Sequence, residues 1–166
     1  MQSVVVMGVA GCGKSSLGQA LAEALGWVYI EGDAHHAPAS IAKMRAGIAL
    51  TDADRSGWLD TLGAELVRHP QGVVLACSAL KRAYRERLRA ARPGLGFVFL
   101  EITRELSLQR VAERAADHLF PVSLVDSQFA ALESPVDEVG VLSVDAALSR
   151  GEQLNQALAW AKGEGA

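Results

Sequence analysis

The sequence predicts a single α/β domain in which a five-stranded parallel sheet carries helices on both faces. Short aliphatic runs that are apolar on both faces alternate with segments of helical periodicity, the pattern of a doubly wound sheet with right-handed crossovers. The 166 residues are half apolar, which suffices for one domain with a substantial core. No linker or internal repeat divides the chain, so residues 1–166 are predicted to fold as one unit.

The first strand and the first helix enclose the strongest motif. Gly8, Gly13, Lys14 and Ser15 fill every fixed position of G-x-x-x-x-G-K-[ST], between an apolar run and a helical segment. In such a phosphate loop backbone N–H groups surround the phosphates, the lysine reaches the β- and γ-phosphates, and the serine hydroxyl is offered to Mg²⁺. The chain is therefore predicted to be a P-loop NTPase. The predicted nucleotide-binding residues are Gly8, Val9, Ala10, Gly11, Cys12, Gly13, Lys14, Ser15 and Ser16.

The helix after this loop should end at Gly26, and a second strand, Val28–Ile30, follows it. This strand leads directly into Gly32 and Asp33, so a carboxylate stands at the carboxyl edge of the sheet, where open α/β sheets bind ligands. Phosphoryl transfer needs a carboxylate to orient the attacking hydroxyl and accept its proton, and Asp33 is the predicted catalytic base. The alternative is a turn or cap residue.

An insert of about residues 34–69 is predicted next. Pro38 opens a short helix that Gly47 ends, and Thr51 caps a longer one. The adjacent His35 and His36 do not converge on one face, which argues against structural zinc. For His36 a substrate hydrogen bond and a plain surface role both stay open.

The third strand, Val73–Cys77, leads into Ser78 and a basic helix that begins near Lys81. Lys81 and Arg85 are one helical turn apart beside the strand edge, and we expect them to hold an anionic acceptor. A solvated basic face is the alternative.

A fourth strand, Phe97–Leu100, precedes a helix capped by Thr103. Arg110 and Arg114 lie off its apolar stripe and are predicted to place cations over the transferring phosphoryl group, within a lid of about residues 110–128. Two surface arginines are the alternative. A short helix to about residue 132, a fifth strand at 141–144 and a closing helix complete the chain.

Composition and charge limit the kinds of partner and the cellular compartment that the sequence predicts. A net charge of −3 and a pI near 5.8 give no electrostatic footprint for nucleic acid or an anionic membrane. No apolar run reaches the length of a membrane span, and the first strand begins too near Met1 for a signal peptide. Cys12 and Cys77 suit a reducing compartment, so a cytoplasmic protein is predicted.

Several further blocks carry a family resemblance. They are Gly32-Asp33-x-x-His36, Lys43-Met44-x-x-Gly47, Leu50-x-Asp52-x-Asp54-Arg55-x-x-Trp58-Leu59, Cys77-Ser78-Ala79-Leu80-Lys81-x-x-Tyr84-Arg85, and Ser127-Gln128-Phe129-x-x-Leu132-Glu133-x-Pro135. Together with the phosphate loop they span nearly the whole chain in order, and the chain resembles the bacterial gluconokinases. The resemblance implies a nucleoside-monophosphate-kinase-like fold with a lid, and transfer of the γ-phosphoryl group of ATP to the 6-hydroxyl of D-gluconate.

The resemblance also implies roles for individual residues. Lys14, Asp33 and Arg114 would be catalytic, Arg110 would serve the nucleotide, and Ser15 would bind Mg²⁺ together with ATP. The implied substrate-binding residues are Asp33, His36, Lys43, Arg55, Ser78, Lys81, Arg85 and Gln128. The departures from the family pattern are Ser40 for asparagine, Ala49 and Gly57 for prolines, and Asp117-His118-Leu119 for Gly-His-Phe.

Two rival interpretations remain. Shikimate kinase shares the small P-loop fold, but it would show a Gly-Gly-Gly acceptor loop where this chain reads Ser-Ala-Leu-Lys after Cys77. A nucleotide-binding regulator or GTPase-like switch would need a guanine-specifying Asn-Lys-x-Asp, which the sequence lacks. A homodimer stays open as a state of assembly.

Overall fold

The computed structural model describes residues 1–114 and 121–164. Its centre is a five-stranded sheet in the order β2-β3-β1-β4-β5, and every neighbouring pair is parallel. The strands are β1 (Ser3–Met7), β2 (Val28–Glu31), β3 (Val73–Ala76), β4 (Gly96–Glu101) and β5 (Val141–Asp145). The predicted five-stranded parallel sheet is confirmed.

Helices follow the strands in alternation. They are α1 (Lys14–Leu25), α2 (Pro38–Arg45), α3 (Asp52–Arg68), α4 (Arg82–Ala91), α5 (Arg104–Glu113), α6 (Val125–Ala131) and α7 (Arg150–Ala161), with 3₁₀ turns at Gly32–His35 and Val122–Leu124. Most of the predicted lid, about 110–128, falls on α5, the second 3₁₀ turn and α6. Residues 115–120, which include the departure at Asp117-His118-Leu119, lie outside the described residues.

Two apolar layers enclose the sheet because successive side chains of a strand point to opposite faces. Val5 and Leu75 point to the side where Leu62 of α3 packs. Val4 points to the other side, where Leu17 of α1 packs. Helices therefore cover both faces, as predicted.

The helix boundaries have local causes. Gly26 adopts a left-handed conformation at φ 70° and ends α1. Thr51 begins α3 through a capping box, since its hydroxyl accepts from the Asp54 N–H and the Asp54 carboxylate accepts from the Thr51 N–H. In contrast, Gly13, the residue directly before α1, provides no side-chain cap. The first N–H groups of α1 are therefore available to an anion.

The strand order decides where the loops meet. Since β3 lies between β1 and β2, the carboxyl ends of these three strands lie side by side. The loop after β1 is bonded to the loop after β3 by the Gly8 N–H, which donates to the Ser78 carbonyl at 3.3 Å. No helix in residues 1–114 or 121–164 is long and apolar enough to cross a membrane.

Candidate active site

The phosphate loop has the backbone that its glycines predict. Gly8, Gly11 and Gly13 have φ values of 147°, 78° and 92°. A Cβ at Gly8 would lie 2.7 Å from the Cys12 sulfur and 3.0 Å from the Leu100 carbonyl oxygen. Only glycine fits there, so the tight turn from β1 into α1 depends on it.

Residues from α5 and α6 hold the loop from outside. The Ala10 N–H donates to Gln128 Oε1 at 2.8 Å, and the Ser107 hydroxyl donates to the Ala10 carbonyl at 2.7 Å. Arg110 Nη1 donates to the Gly11 carbonyl at 3.2 Å. Gln128, which the resemblance placed at the acceptor, thus also bonds to the nucleotide loop.

One cavity brings together most of the predicted site residues. Those that line it are Ala10, Gly11, Gly13, Lys14, Ser15, Ser16, Asp33, His36, Arg55, Ser78, Arg114 and Gln128. Met44, Ala49, Leu50, Leu124 and Ser127 also line it, and sequence reasoning gave none of them a site role. Met44, Leu50 and Ser127 stand in the blocks that carry the family resemblance, whereas Leu124 carries no chemical signal in the sequence.

The charge of Lys14 is maintained by its neighbours. Burial opposes the ammonium charge, but nearby negative charge, including the carboxylates of Asp33 and Glu31, raises the pKa of Lys14 above its ordinary value. Burial also raises the pKa of Cys12, and it raises that of Cys77 to about 12, so both thiols are neutral near pH 7. A cationic lysine therefore faces the cavity at neutral pH.

Glu31 contacts the phosphate loop, and sequence reasoning gave it no role. Its Oε2 accepts from the Ser15 hydroxyl at 2.6 Å and from the Tyr29 hydroxyl at 2.6 Å. Burial and this carboxylate raise the pKa of Tyr29. The position of Glu31 at the carboxyl end of β2 is the feature of the sequence that could have pointed to it. A hydroxyl beside a carboxylate is an oxygen donor set that suits Mg²⁺.

Asp33 lies on the 3₁₀ turn after β2, and Trp58 of α3 packs against this turn. The Trp58 Nε1–H donates to the Gly32 carbonyl at 2.8 Å. The indole stacks on the His36 ring, with centroids 4.2 Å apart and planes at 16°. His36 Nε2 lies 3.7 Å from Asp33 Oδ1. The insert therefore fixes the surroundings of the predicted base.

Two predicted acceptor cations are paired away from the cavity lining. Lys43 Nζ donates to the Asp54 carboxylate at 2.8 Å and lowers the pKa of Asp54 to about 2. Lys81 Nζ donates to Asp52 Oδ1 at 3.0 Å, and the Tyr84 hydroxyl donates to the same oxygen. These contacts tie α3 to α2 and α4, and neither lysine lines the cavity.

The expectation for Arg85 needs correction. Its side chain is fully buried and does not line the cavity. All five of its N–H donors have protein acceptors: the Glu138 carboxylate and the carbonyls of Ala79, Leu80 and Glu133. Arg85 is therefore a structural cation. Its carboxylate partner, Glu138, lies 53 residues further along the chain.

Three arginines flank the phosphate loop. Arg114 lines the cavity, and Arg110 bridges the loop and the Ala146 carbonyl, to which its Nη2 donates at 2.9 Å. Arg150, which sequence reasoning missed, has its Nη2 3.4 Å from where a Cβ of Gly13 would stand. Partial burial and the charges of Arg110 and Arg114 lower the pKa of Arg150. Its position at the start of α7, the helix that follows β5, is the feature of the sequence that could have pointed to it.

An uncapped helix start with a lysine, opposite a strand-end carboxylate in the same cavity, defines a P-loop kinase. A family model described as an AAA domain matches residues 4–138. The chain belongs to the gluconokinase family. It is 46% identical over 145 residues to the gluconokinase of Gluconobacter oxydans strain 621H. The aligned region covers 85% of this chain and 80% of that protein.

Solved structures agree with this assignment. The crystal structure of a gluconokinase from Sinorhizobium meliloti 1021 superposes with a TM-score of 0.87 at 48% identity, covering 95% of this chain and 90% of that one. Shikimate kinase from Acinetobacter baumannii superposes with a TM-score of 0.68 at 18% identity, over 99% of this chain and 95% of that one. The second likeness shows the fold alone.

Proposed function

We propose that this chain transfers the γ-phosphoryl group of ATP to the 6-hydroxyl of D-gluconate, giving 6-phospho-D-gluconate and ADP. The observation that carries the proposal is that Lys14 and Asp33 line the same cavity, one at the nucleotide loop and one at the end of β2. Membership of the gluconokinase family supports gluconate as the acceptor.

On the nucleotide side, the loop N–H groups and the start of α1 would surround the phosphates. Lys14 would neutralise the charge that develops on the transferring group, and Arg114, which lines the same cavity, would add a second cation. Arg110 would hold the nucleotide from α5. Ser15 and Glu31 would hold Mg²⁺, which would offset the negative charge of the phosphates.

On the acceptor side, Asp33 would orient the 6-hydroxyl and accept its proton. Arg55 is half-buried, lines the cavity and is the cation of the insert best placed for a sugar-acid carboxylate. Its guanidinium lies 5.6 Å from the centroid of the Tyr84 ring, which keeps it over an aromatic face. Ser78 and Gln128 would add hydrogen bonds to the sugar hydroxyls. A homodimer and a cytoplasmic location remain predictions from the sequence.

ADP release tests the proposal directly. The purified chain is incubated with Mg-ATP and, separately, with gluconate, shikimate, nucleoside monophosphates and adenylylsulfate, with Lys14→Ala as the inactive control. We expect turnover with gluconate alone. Turnover with shikimate but not with gluconate would make shikimate the acceptor. No turnover with any of these compounds would contradict the kinase assignment.

A further inference from the structure

The loop that carries Asp33 is clamped on two sides. Trp58 Nε1–H holds the Gly32 carbonyl at 2.8 Å. On the opposite side Gly32 lies so close to β3 that a Cβ there would stand 2.5 Å from the Ala76 carbonyl oxygen. The backbone next to Asp33 therefore has little freedom, but these contacts do not set the rotation of the Asp33 carboxylate.

The His36 ring is fixed by the same tryptophan. The imidazole stacks on the indole, and its side chain is only 3% exposed. Within the described part of the chain its Nδ1 is buried and has no hydrogen-bond partner. The other nitrogen, Nε2, faces Asp33 Oδ1 at 3.7 Å, and the His36 N–H donates to the Asp33 carbonyl at 3.4 Å. The polar edge of a nearly immobile ring is thus directed at the predicted base.

We propose that His36 is a positioning residue for Asp33. The proton of the imidazole sits on Nε2, because Nδ1 has no acceptor among the described residues, and a buried N–H without an acceptor is costly. Nε2–H attracts Oδ1 and so turns the other carboxylate oxygen of Asp33 to the acceptor hydroxyl. The contact at 3.7 Å shortens when the acceptor binds, as catalytic hydrogen bonds often do.

This proposal rests on the proposed function and deepens it, since it gives His36 a different role from the direct acceptor contact implied by the family resemblance. A direct contact contributes to acceptor binding and appears in KM for gluconate. A positioning residue acts on the geometry of proton transfer and appears in kcat. The exposed fraction of 3% leaves little of the His36 surface for an acceptor to touch, which favours positioning.

The test compares His36→Leu, which keeps an apolar side chain on Trp58 but has no donor, with His36→Gln, whose amide places a donor near the former Nε2 position. We expect His36→Leu to lower kcat by roughly 10- to 100-fold, with KM for gluconate and ATP within about twofold of the parent. His36→Gln should recover most of the loss. The matched control is His35→Gln, which changes the neighbouring histidine outside the cavity lining and should leave both parameters unchanged.

The outcomes separate the proposals. If the parent does not phosphorylate gluconate, the proposed function fails and the role of His36 fails with it. If the parent is active and His36→Leu raises KM for gluconate at unchanged kcat, His36 contacts the acceptor and positioning is wrong. Equal kcat losses in the Leu and Gln variants, in step with a lower Tm, would make His36 purely structural. Should His36→Leu fail to fold, Trp58→Phe, which keeps a ring on His36 but loses the bond to Gly32, is expected to lower kcat at unchanged KM, and an unchanged kcat would overturn the proposal.

Discussion

Whether a cation can serve a ligand depends on how many of its donors the protein already uses. Arg85 uses all five on Glu138 and on backbone carbonyls, and Lys43 and Lys81 are paired with the two acidic residues at the start of α3. Arg55 differs because it lines the cavity and has an aromatic face beside it. Sequence spacing favoured Lys81 and Arg85, whereas the contacts favour Arg55.

Replacing Arg55 tests this reassignment. Arg55→Ala should raise KM for gluconate about tenfold or more, the equivalent of roughly 1.5 to 3 kcal/mol of charged hydrogen bonding, with KM for ATP little changed. A carboxylate remote from the reacting hydroxyl is bound about equally in the ground and transition states, so kcat should change little. Steady-state kinetics with each substrate varied in turn measure this. The control is Lys81→Ala, and a larger KM effect there than at Arg55 would assign the acceptor carboxylate to Lys81.

Replacing Asp33 tests the base. Asp33→Asn should lower kcat by about 100-fold or more while KM for ATP stays near that of the parent, because the carboxylate acts on the acceptor and the phosphate loop is unaltered. The measurement is turnover together with direct nucleotide binding. A variant that loses ATP affinity at unchanged kcat would instead place Asp33 with the metal or in the fold.

At the scale of elements, the connection from β3 to α4 depends on the buried Arg85. Ala79 in this connection has φ 47°, a left-handed conformation that is unfavourable for a residue with a side chain. Arg85 Nη1 donates to the carbonyls of Ala79 and Leu80, at 2.7 and 3.1 Å, and holds the chain in that conformation. The same connection carries Ser78 into the cavity. The arginine thus supports the site without touching it.

Arg85→Leu should therefore destabilise the fold, by about 3 to 5 kcal/mol, because it removes the fully buried partner of Glu138, leaves that carboxylate to Arg89, and leaves the carbonyls of Ala79 and Leu80 without this donor. Denaturant unfolding measures the loss. Arg82→Ala, which changes an exposed arginine of the same helix, should stay within about 0.5 kcal/mol of the parent. Equal stability of Arg85→Leu and the parent, with a raised KM for gluconate, would restore the ligand role that the sequence suggested.

The elements themselves were largely predictable from the sequence. The bounds of α1 and α3 follow from local chemistry at Gly26 and Thr51, which periodicity and capping rules describe. Pairs distant in sequence were not predictable in this way. Ser15 meets Glu31 across 16 residues and Arg85 meets Glu138 across 53, and only the folded chain decides such contacts.

At the scale of the whole molecule, the strand order makes one cavity out of separate motifs. The order β2-β3-β1-β4-β5 sets the phosphate loop, the Asp33 turn and the Ser78 connection side by side. Alternation of strands and helices indicated a parallel sheet but not this order, because many orders satisfy the same alternation. The quoted motifs contain most of the residues that line the cavity, and the order explains why these residues meet.

The whole fold should also lose stability in acid, and Glu138 offers a direct test. Burial alone would raise the pKa of Glu138, but hydrogen bonds and charges from Arg85 and Arg89 outweigh it and hold the pKa below the ordinary 4.5. The folded state therefore favours the ionised carboxylate. Its contribution to stability is fully present above about pH 4.5 and is lost as the pH falls through the lower folded pKa.

Glu138→Gln removes this dependence, since the amide cannot ionise. We expect the variant to unfold at a lower denaturant concentration than the parent at pH 7, and the difference to shrink as the pH falls below about 4.5. Denaturant unfolding at pH values from 3 to 7, in steps of about one pH unit, gives the stability of the parent and of the variant as a function of pH. Glu23→Gln, at an exposed position of α1, is the control and should track the parent throughout. A constant gap between Glu138→Gln and the parent across this range would mean that packing around the side chain, not its charge, is what Glu138 contributes.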